Sequence, residues 1–335
     1  PYKTTEVGIS QRHNGVWDDN KYRIGAPGNT ISVYINDIVV DGLQMKVSRA
    51  SGSFAMGIRL YDPMDGESSV SNNIIKGEFS GSSNSNSGYF KDSGASGIAN
   101  VYNNIIYDFT GGLGASVGMR LYSGNNVYNN TVYNTDTGIS FSGTNNFTNN
   151  ILNKCLTTCV NDIAGTLTGS NNIFSDASSY GTDPIINTDV AFEDVYNDNF
   201  HLSPNDTRAI DAGTSTPLST GTSLAYDIDG NYRRTWDIGA DEASIDFVTT
   251  VMEGGVGDFV SLATWEDTID SDIAATSTVV FSTTGKSGTF TQGNSFVGTS
   301  YNASGTLVWV HLVIRVIRSM RWRRLMDFGM WLILE

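Results

Sequence analysis

Two short segments, Gly57-Ile58-Arg59-Leu60-Tyr61 and Gly118-Met119-Arg120-Leu121-Tyr122, each carry an arginine and a tyrosine two residues apart. In an extended strand such a pair emerges on one side while the leucine between them faces the other. A guanidinium binds an anionic sugar through two parallel hydrogen bonds, and a tyrosine ring stacks on a sugar face. Arg59, Tyr61, Arg120 and Tyr122 are therefore carbohydrate-binding candidates. The plainer reading is a solvated arginine beside a packing aromatic.

A second candidate is Asp227-Ile228-Asp229-Gly230-Asn231. Oxygen-bearing side chains alternate around a glycine turn, as in the first half of a calcium loop. Asp227, Asp229 and Asn231 would be the ligands, and calcium is the one cofactor the sequence suggests. The downstream glutamate of an EF-hand is missing, and the same residues suit a turn in which Asp and Asn hydrogen-bond their own backbone. Cys155 and Cys159 are the only cysteines, too few for a four-cysteine zinc site. They are close enough for a local disulfide, with free thiols as the alternative. His13, His201 and His311 stand apart from one another and from the cysteines, so neither a catalytic triad nor a zinc cluster emerges. Asp62, Asp65, Asp92, Asp108 and Asp136 are scattered, and no pair of glycosidase carboxylates stands out.

The elements that must position these residues are short strands. Of 335 residues 36 are Gly and only 16% are charged, with Val, Ile, Leu, Phe and Tyr clusters set between Gly, Ser, Asn, Thr and Asp. That texture reads as all-β. A net charge of −15 argues against nucleic acid or anionic membrane as partners. The longest apolar run, Leu307 to Ile314, is far too short to span a membrane as a helix.

One motif recurs: Val70-Ser71-Asn72-Asn73-Ile74-Ile75, Val101-Tyr102-Asn103-Asn104-Ile105-Ile106, Val127-Tyr128-Asn129-Asn130-Thr131-Val132 and Phe147-Thr148-Asn149-Asn150-Ile151-Leu152, with a weaker copy at Ser170-Asn171-Asn172-Ile173-Phe174. Successive second asparagines lie 31, 26, 20 and 22 residues apart. This is the spacing of solenoid coils with loops of varying length. The Gly-led segments starting at Gly118 and Gly138 precede their Asn pairs by the same distance, so two markers share one register. The expected fold is all-β, a right-handed parallel β-helix, with Ile74, Ile105 and Ile151 stacked as one inward column. Asparagines stacked at the bend would satisfy one another's amides.

Residues 197 to 242 contain Asn197-Asp198-Asn199-Phe200-His201-Leu202-Ser203-Pro204, Ala209-Ile210-Asp211-Ala212-Gly213, Asp227-Ile228-Asp229-Gly230-Asn231, Arg234 and Asp237-Ile238-Gly239-Ala240-Asp241-Glu242. These ordered blocks resemble the closing segment of the choice-of-anchor Q surface proteins, bacterial and archaeal solenoids with a pectate-lyase-like fold. The resemblance covers about residues 30 to 242. It departs at Asn205-Asp206-Thr207-Arg208, where that family usually has Ser-Pro. It implies export and often attachment to the cell surface, and a packing role for His201.

Four segments follow: β-helix coils over 1–196, a closing segment over 197–245, the start of a second β-helix-like unit over 246–307, and an atypical basic tail over 308–335. In the third, Leu262, Trp265 and Ile269 predict a short capping helix beginning near Ser261, followed by strands at Thr278-Phe281 and Gly288-Phe290. The tail sets five arginines against Asp327 and Glu335, a local charge of +3. It reads either as a basic amphipathic helix at a membrane surface or as a frameshifted gene end. The functional expectation is a secreted or cell-surface module that binds polysaccharide or a surface glycan, as an adhesin does. The alternative is an extracellular lyase or glycoside hydrolase acting on acidic polysaccharide, in which the face around Arg59, Tyr61, Arg120 and Tyr122 and a calcium ion would serve.

Overall fold

An asparagine pair suits a corner, because a short polar side chain tolerates left-handed backbone and can hydrogen-bond across the bend. The computed structural model describes residues 12–49, 54–61, 65–79, 86–111, 116–215, 224–233 and 235–243, and the backbone of 278–283, 286–291, 295–301, 307–313, 321–325 and 330–334. The first member of each pair, Asn72, Asn103, Asn129, Asn149 and Asn171, has φ between 50° and 57°. The second member, Asn73, Asn104, Asn130, Asn150 and Asn172, is buried. Nδ2 of Asn73, Asn104, Asn130 and Asn150 donates to Oδ1 of the next asparagine at 2.9–3.1 Å. The backbone N–H of each donates to the same oxygen at 2.9–3.0 Å. Nδ2 of Asn104, Asn130, Asn150 and Asn172 also reaches a carbonyl at Val70, Val101, Val127 and Phe147. Every rung thus satisfies buried amides that would otherwise be costly.

Between corners the chain lays down three walls of parallel strands, all in one fifteen-stranded sheet curled round an axis. The first wall holds Arg23–Pro27, Gln44–Arg49, Ile74–Phe79 and Ile105–Phe109. The second holds Ile31–Val33, Met56–Leu60, Ser87–Lys91 and Val117–Leu121. The third holds Val39–Asp41, Glu67–Ser71, Ile98–Tyr102 and Asn125–Tyr128. Thr131–Thr148 and Ile151–Thr168 each run through all three walls as nearly continuous strands, and Ile173–Phe174 extends the first. The fold is a parallel β-helix.

The Gly-led marker has a steric cause. Gly57, Gly88, Gly118 and Gly138 align on the second wall, and a Cβ on Gly118 would lie 2.4 Å from Val132 Cγ1 and 2.7 Å from the Gly138 carbonyl. Gly88 is a further rung of the marker that its sequence hides, because Tyr89-Phe90-Lys91 stands where Ile58-Arg59-Leu60 and Met119-Arg120-Leu121 stand in the others.

Ile74, Ile105 and Ile151 do stack, with Thr131 between the last two, but the column faces outward. The inner column is the next residue of each strand: Met45, Ile75, Ile106, Val132, Leu152 and Phe174. The reason is the closing segment, which packs against the outside of the first wall. Phe200, Ile228 and Ala240 cover Ile74 and Ile105, while Leu202, Ala209 and Ile238 cover Ile151 and Ile173. The first asparagines of the pairs hold it in place: Nδ2 of Asn103, Asn129, Asn149 and Asn171 donates to the carbonyls of Tyr226, Asp237, Thr214 and Ala212 at 2.6–3.1 Å. Thr131 Oγ1 accepts the N–H of Ala240 at 3.1 Å, so a hydroxyl sits where the neighbouring rungs carry Ile105 and Ile151.

The chain divides into two compact units, Pro1–Ala243 and Ser244–Glu335. The described backbone of the second forms three antiparallel hairpins: Thr278–Thr283 with Lys286–Thr291, Ser295–Tyr301 with Leu307–Val313, and Arg321–Leu325 with Met330–Leu334. The two segments expected as its first strands are strands, paired antiparallel. Within the arginine-rich tail the described residues Arg321–Leu325 and Met330–Leu334 are strands rather than helix. The expected capping helix near Ser261 and the block residue Arg234 lie outside the described residues.

Candidate functional site

On the outer side of the second wall one column reads Ser32, Arg59, Phe90, Arg120, Ser140 and Asn161 in strict register. Arg59 and Arg120 therefore stand two rungs apart, about 10 Å. Two residues further along each strand come Tyr34, Tyr61, Asp92 and Tyr122. Tyr34 stacks on Tyr61 with centroids 4.2 Å apart and planes at 15°. The Arg59 guanidinium lies 3.9 Å from the Tyr61 centroid and 5.1 Å from Phe90, and pairs with Asp92 at 2.6 Å. Arg120 sits 5.8 Å from the Phe90 centroid, and Phe90 meets Tyr122 edge-on at 6.0 Å.

The structure thus gathers both Arg-Tyr pairs on one face and links them through Phe90. Nothing in the sequence points to Tyr34 or Phe90, and Asp92 stands there only as one of five scattered carboxylates. Only the register reveals them, since the coil joining them to the marker varies in length.

The acidic loop lies elsewhere, in the closing segment over the first wall. Asp227 is buried, and its carboxylate accepts N–H groups of Asp229, Asn231 and Glu242 at 2.7–3.0 Å, while Asn231 turns its Nδ2 towards it at 3.3 Å. Burial, then the nearby Asp229 charge, pushes the Asp227 carboxyl up to about 6. Asp229 points another way. Its Oδ2 lies 2.5 Å from His201 Nε2, and Asp241 Oδ1 lies 3.9 Å from the same nitrogen. Burial raises the Asp241 carboxyl well above its ordinary value, with the His201 charge opposing. For His201, burial pulls downward, but the hydrogen bond to Asp229 and the charges of Asp241, Asp229 and Glu193 outweigh it and carry the imidazole to about 9. The histidine spacing places His201 apart from other ligating groups, and nothing in the spacing of His201 and Asp241 announces that they meet.

Beside this group lies a second histidine. His13 is buried; its Nδ1 accepts the Gly15 N–H at 3.2 Å, so Nε2 carries the proton and donates to the Asn72 carbonyl at 2.9 Å. Burial, then the Arg12 charge, lowers its pKa from 6.5 to about 4. Between those values the unfolded chain binds a proton that the folded chain refuses. The stability His13 contributes is therefore complete above about pH 6.5 and is lost as pH falls through about 4, on the order of 3 kcal/mol in all. Asp227 and the buried Asp237, also raised to about 6, titrate in the opposite sense over that window, so the effect is isolated by difference. The advantage of wild type over His13→Gln in denaturant unfolding should shrink by on the order of 3 kcal/mol between about pH 7 and pH 4. An advantage independent of pH would contradict the buried neutral imidazole.

Cys155 and Cys159 are joined in a disulfide, with Cα atoms 5.1 Å apart. No protein-family model matches the chain, and no curated protein matches it as a relative.

Proposed function

We propose that unit Pro1–Ala243 is an extracellular, right-handed β-helix of the choice-of-anchor Q kind that binds polysaccharide along its second wall. The observation that carries this reading is the in-register file Tyr34, Tyr61, Arg59, Phe90, Arg120 and Tyr122 on one lateral face. Aromatic faces offer stacking platforms, and a guanidinium between them is a fork for a uronate carboxylate. Tyr34 is 60% exposed and Arg59, Tyr61, Arg120 and Tyr122 are half-buried, with Phe90 buried beneath them as the support of the file.

Other features support the setting. A disulfide is at home in an oxidising compartment. Right-handed winding is the hand that parallel crossovers strongly favour. The blocks that resemble the surface-protein terminus pack together as a lateral cover on the coils. The lyase alternative needs a cation beside the arginines, and the acidic loop sits over a different wall.

Full-length chain should be retained on immobilised uronate polysaccharide and less on a neutral glucan. Arg120→Ala should weaken retention by about tenfold or more, the loss of one charge-assisted fork. Absence of retention by wild type on any uronate polymer, or equal retention by Arg120→Ala with an unchanged circular dichroism spectrum, would overturn the reading.

A further inference from the structure

We propose that His201, Asp229 and Asp241 bind one divalent transition-metal ion of the zinc class, at a site distinct from the polysaccharide face that shares only Asp229 with the Asp227-Asp229-Asn231 calcium set. Among the described residues these three offer one imidazole nitrogen and two carboxylate oxygens within 4.8 Å of one another. A mixed nitrogen and oxygen set suits zinc or a neighbouring first-row metal, whereas calcium prefers an all-oxygen shell. Three protein donors leave further positions for water, as in open zinc sites.

Two observations point to a missing partner, and a third shows how closely the backbone approaches the same atoms. Asp229 Oδ1 is buried and has no hydrogen-bond partner, in a chain whose other carboxylates nearby are well supplied with donors. The Asp241 side chain is 95% buried: Oδ2 is fixed by the Leu202 N–H at 2.7 Å, which leaves Oδ1 facing His201 beyond hydrogen-bond length. Gly15 forms the wall of the cradle, with φ +76°; a Cβ there would fall on Asp229 Oδ1 and within 2.6 Å of His201 Nε2. His201 Nε2 and Asp229 Oδ2 are engaged only with each other, at 2.5 Å, so the ion would take the place of the proton between them, whereas Asp227 is held by backbone N–H groups and His13 by Asn72 and Gly15.

The donors come from the strand Asn199–Leu202, the turn after Asp227 and the end of the closing segment. A bound ion would tie these three segments together beside Gly15. Neutralising two buried carboxylates would relieve the repulsion between them.

The full chain, freed of metal by chelation, is titrated with Zn²⁺ alone near neutral pH. One ion should bind per chain and raise the melting temperature, while Ca²⁺ and Mg²⁺ should not displace it. Changing a second-shell partner typically costs 10- to 100-fold in affinity, so His201→Gln and Asp241→Asn should each cost about 100-fold or more. Co²⁺ loading provides a readout that does not depend on those variants folding: paramagnetically shifted imidazole resonances that persist in His13→Gln and His311→Gln. Failure of wild type to take up stoichiometric Zn²⁺, preference for Ca²⁺, or Co²⁺ binding without shifted imidazole resonances would each overturn the proposal. Loss of the metal would leave polysaccharide retention unchanged, so the two readings fail separately.

Discussion

Replacing Asn130 by aspartate should destabilise unit Pro1–Ala243 by about 3–5 kcal/mol, although the two side chains are nearly the same size. The Asn130 amide donates to the carbonyls of Val101 and Tyr128 and to Asn150 Oδ1, each at 2.9 Å. Aspartate turns that donor into a fourth acceptor facing three others, in a place with no exposure. Its other oxygen still receives the Asn104 N–H and Nδ2, so the loss is specific to the donor side. Protonating the new carboxyl restores one donor, so the penalty should shrink in acid. Solenoid stability is close to a sum over coils and their interfaces, so a break in the middle should also reduce cooperativity. Asn146→Asp is the control: its amide reaches only the Tyr128 hydroxyl, which can turn and donate instead, and the change should cost less than about 1 kcal/mol. Equal denaturant midpoints for the two variants would contradict the ladder.

Arg233→Met should cost a similar amount, on the order of 3–5 kcal/mol, but at a different place. The Arg233 side chain is fully buried and binds the carbonyls of Asp237, Gly239, Ala240 and Asp241, the Asn103 side chain, and the Glu242 carboxylate at 3.2 Å. Methionine fills much of the volume but removes the positive charge, leaving the Glu242 carboxylate with the Asp237 N–H and the carbonyls of Gly239 and Ala240 with the Asn129 amide and the Ile228 N–H alone. Lysine, a point charge without the planar fork, should recover only part of the loss. Because Arg233 organises the closing segment, proteolytic cleavage within that segment should precede loss of the β-sheet signal. A variant as resistant as wild type would show that the apolar contacts of Phe200, Leu202 and Ile238 suffice.

The Asn-Asn corners were legible because left-handed backbone and a buried amide ladder both demand asparagine, and register repeats the demand at each coil. The direction of the isoleucine column was not legible. With Ile at both positions after the corner, as in Ile74-Ile75 and Ile105-Ile106, either can face inward, and a wall covered on both sides is apolar on both. Arg59 and Arg120 could be placed on one face from their shared marker, whereas Phe90 between them could not, since its rung keeps the glycine and changes everything after it. His201 and Asp229 are 28 residues apart in sequence and meet only because the closing segment folds back on itself. Arg233 stood beside the block residue Arg234 and carried no pattern of its own.

The most direct measurement is calorimetric titration of the full chain with uronate oligomers of increasing length. The file from Tyr34 to Tyr122 spans three rung spacings, about 14 Å. Affinity should therefore climb with oligomer length until the ligand outruns that span and then level off, and Tyr61→Ala should flatten the climb. Affinity that is absent at every length, or that rises without levelling because only diffuse charge is at work, would contradict a polysaccharide site on the second wall.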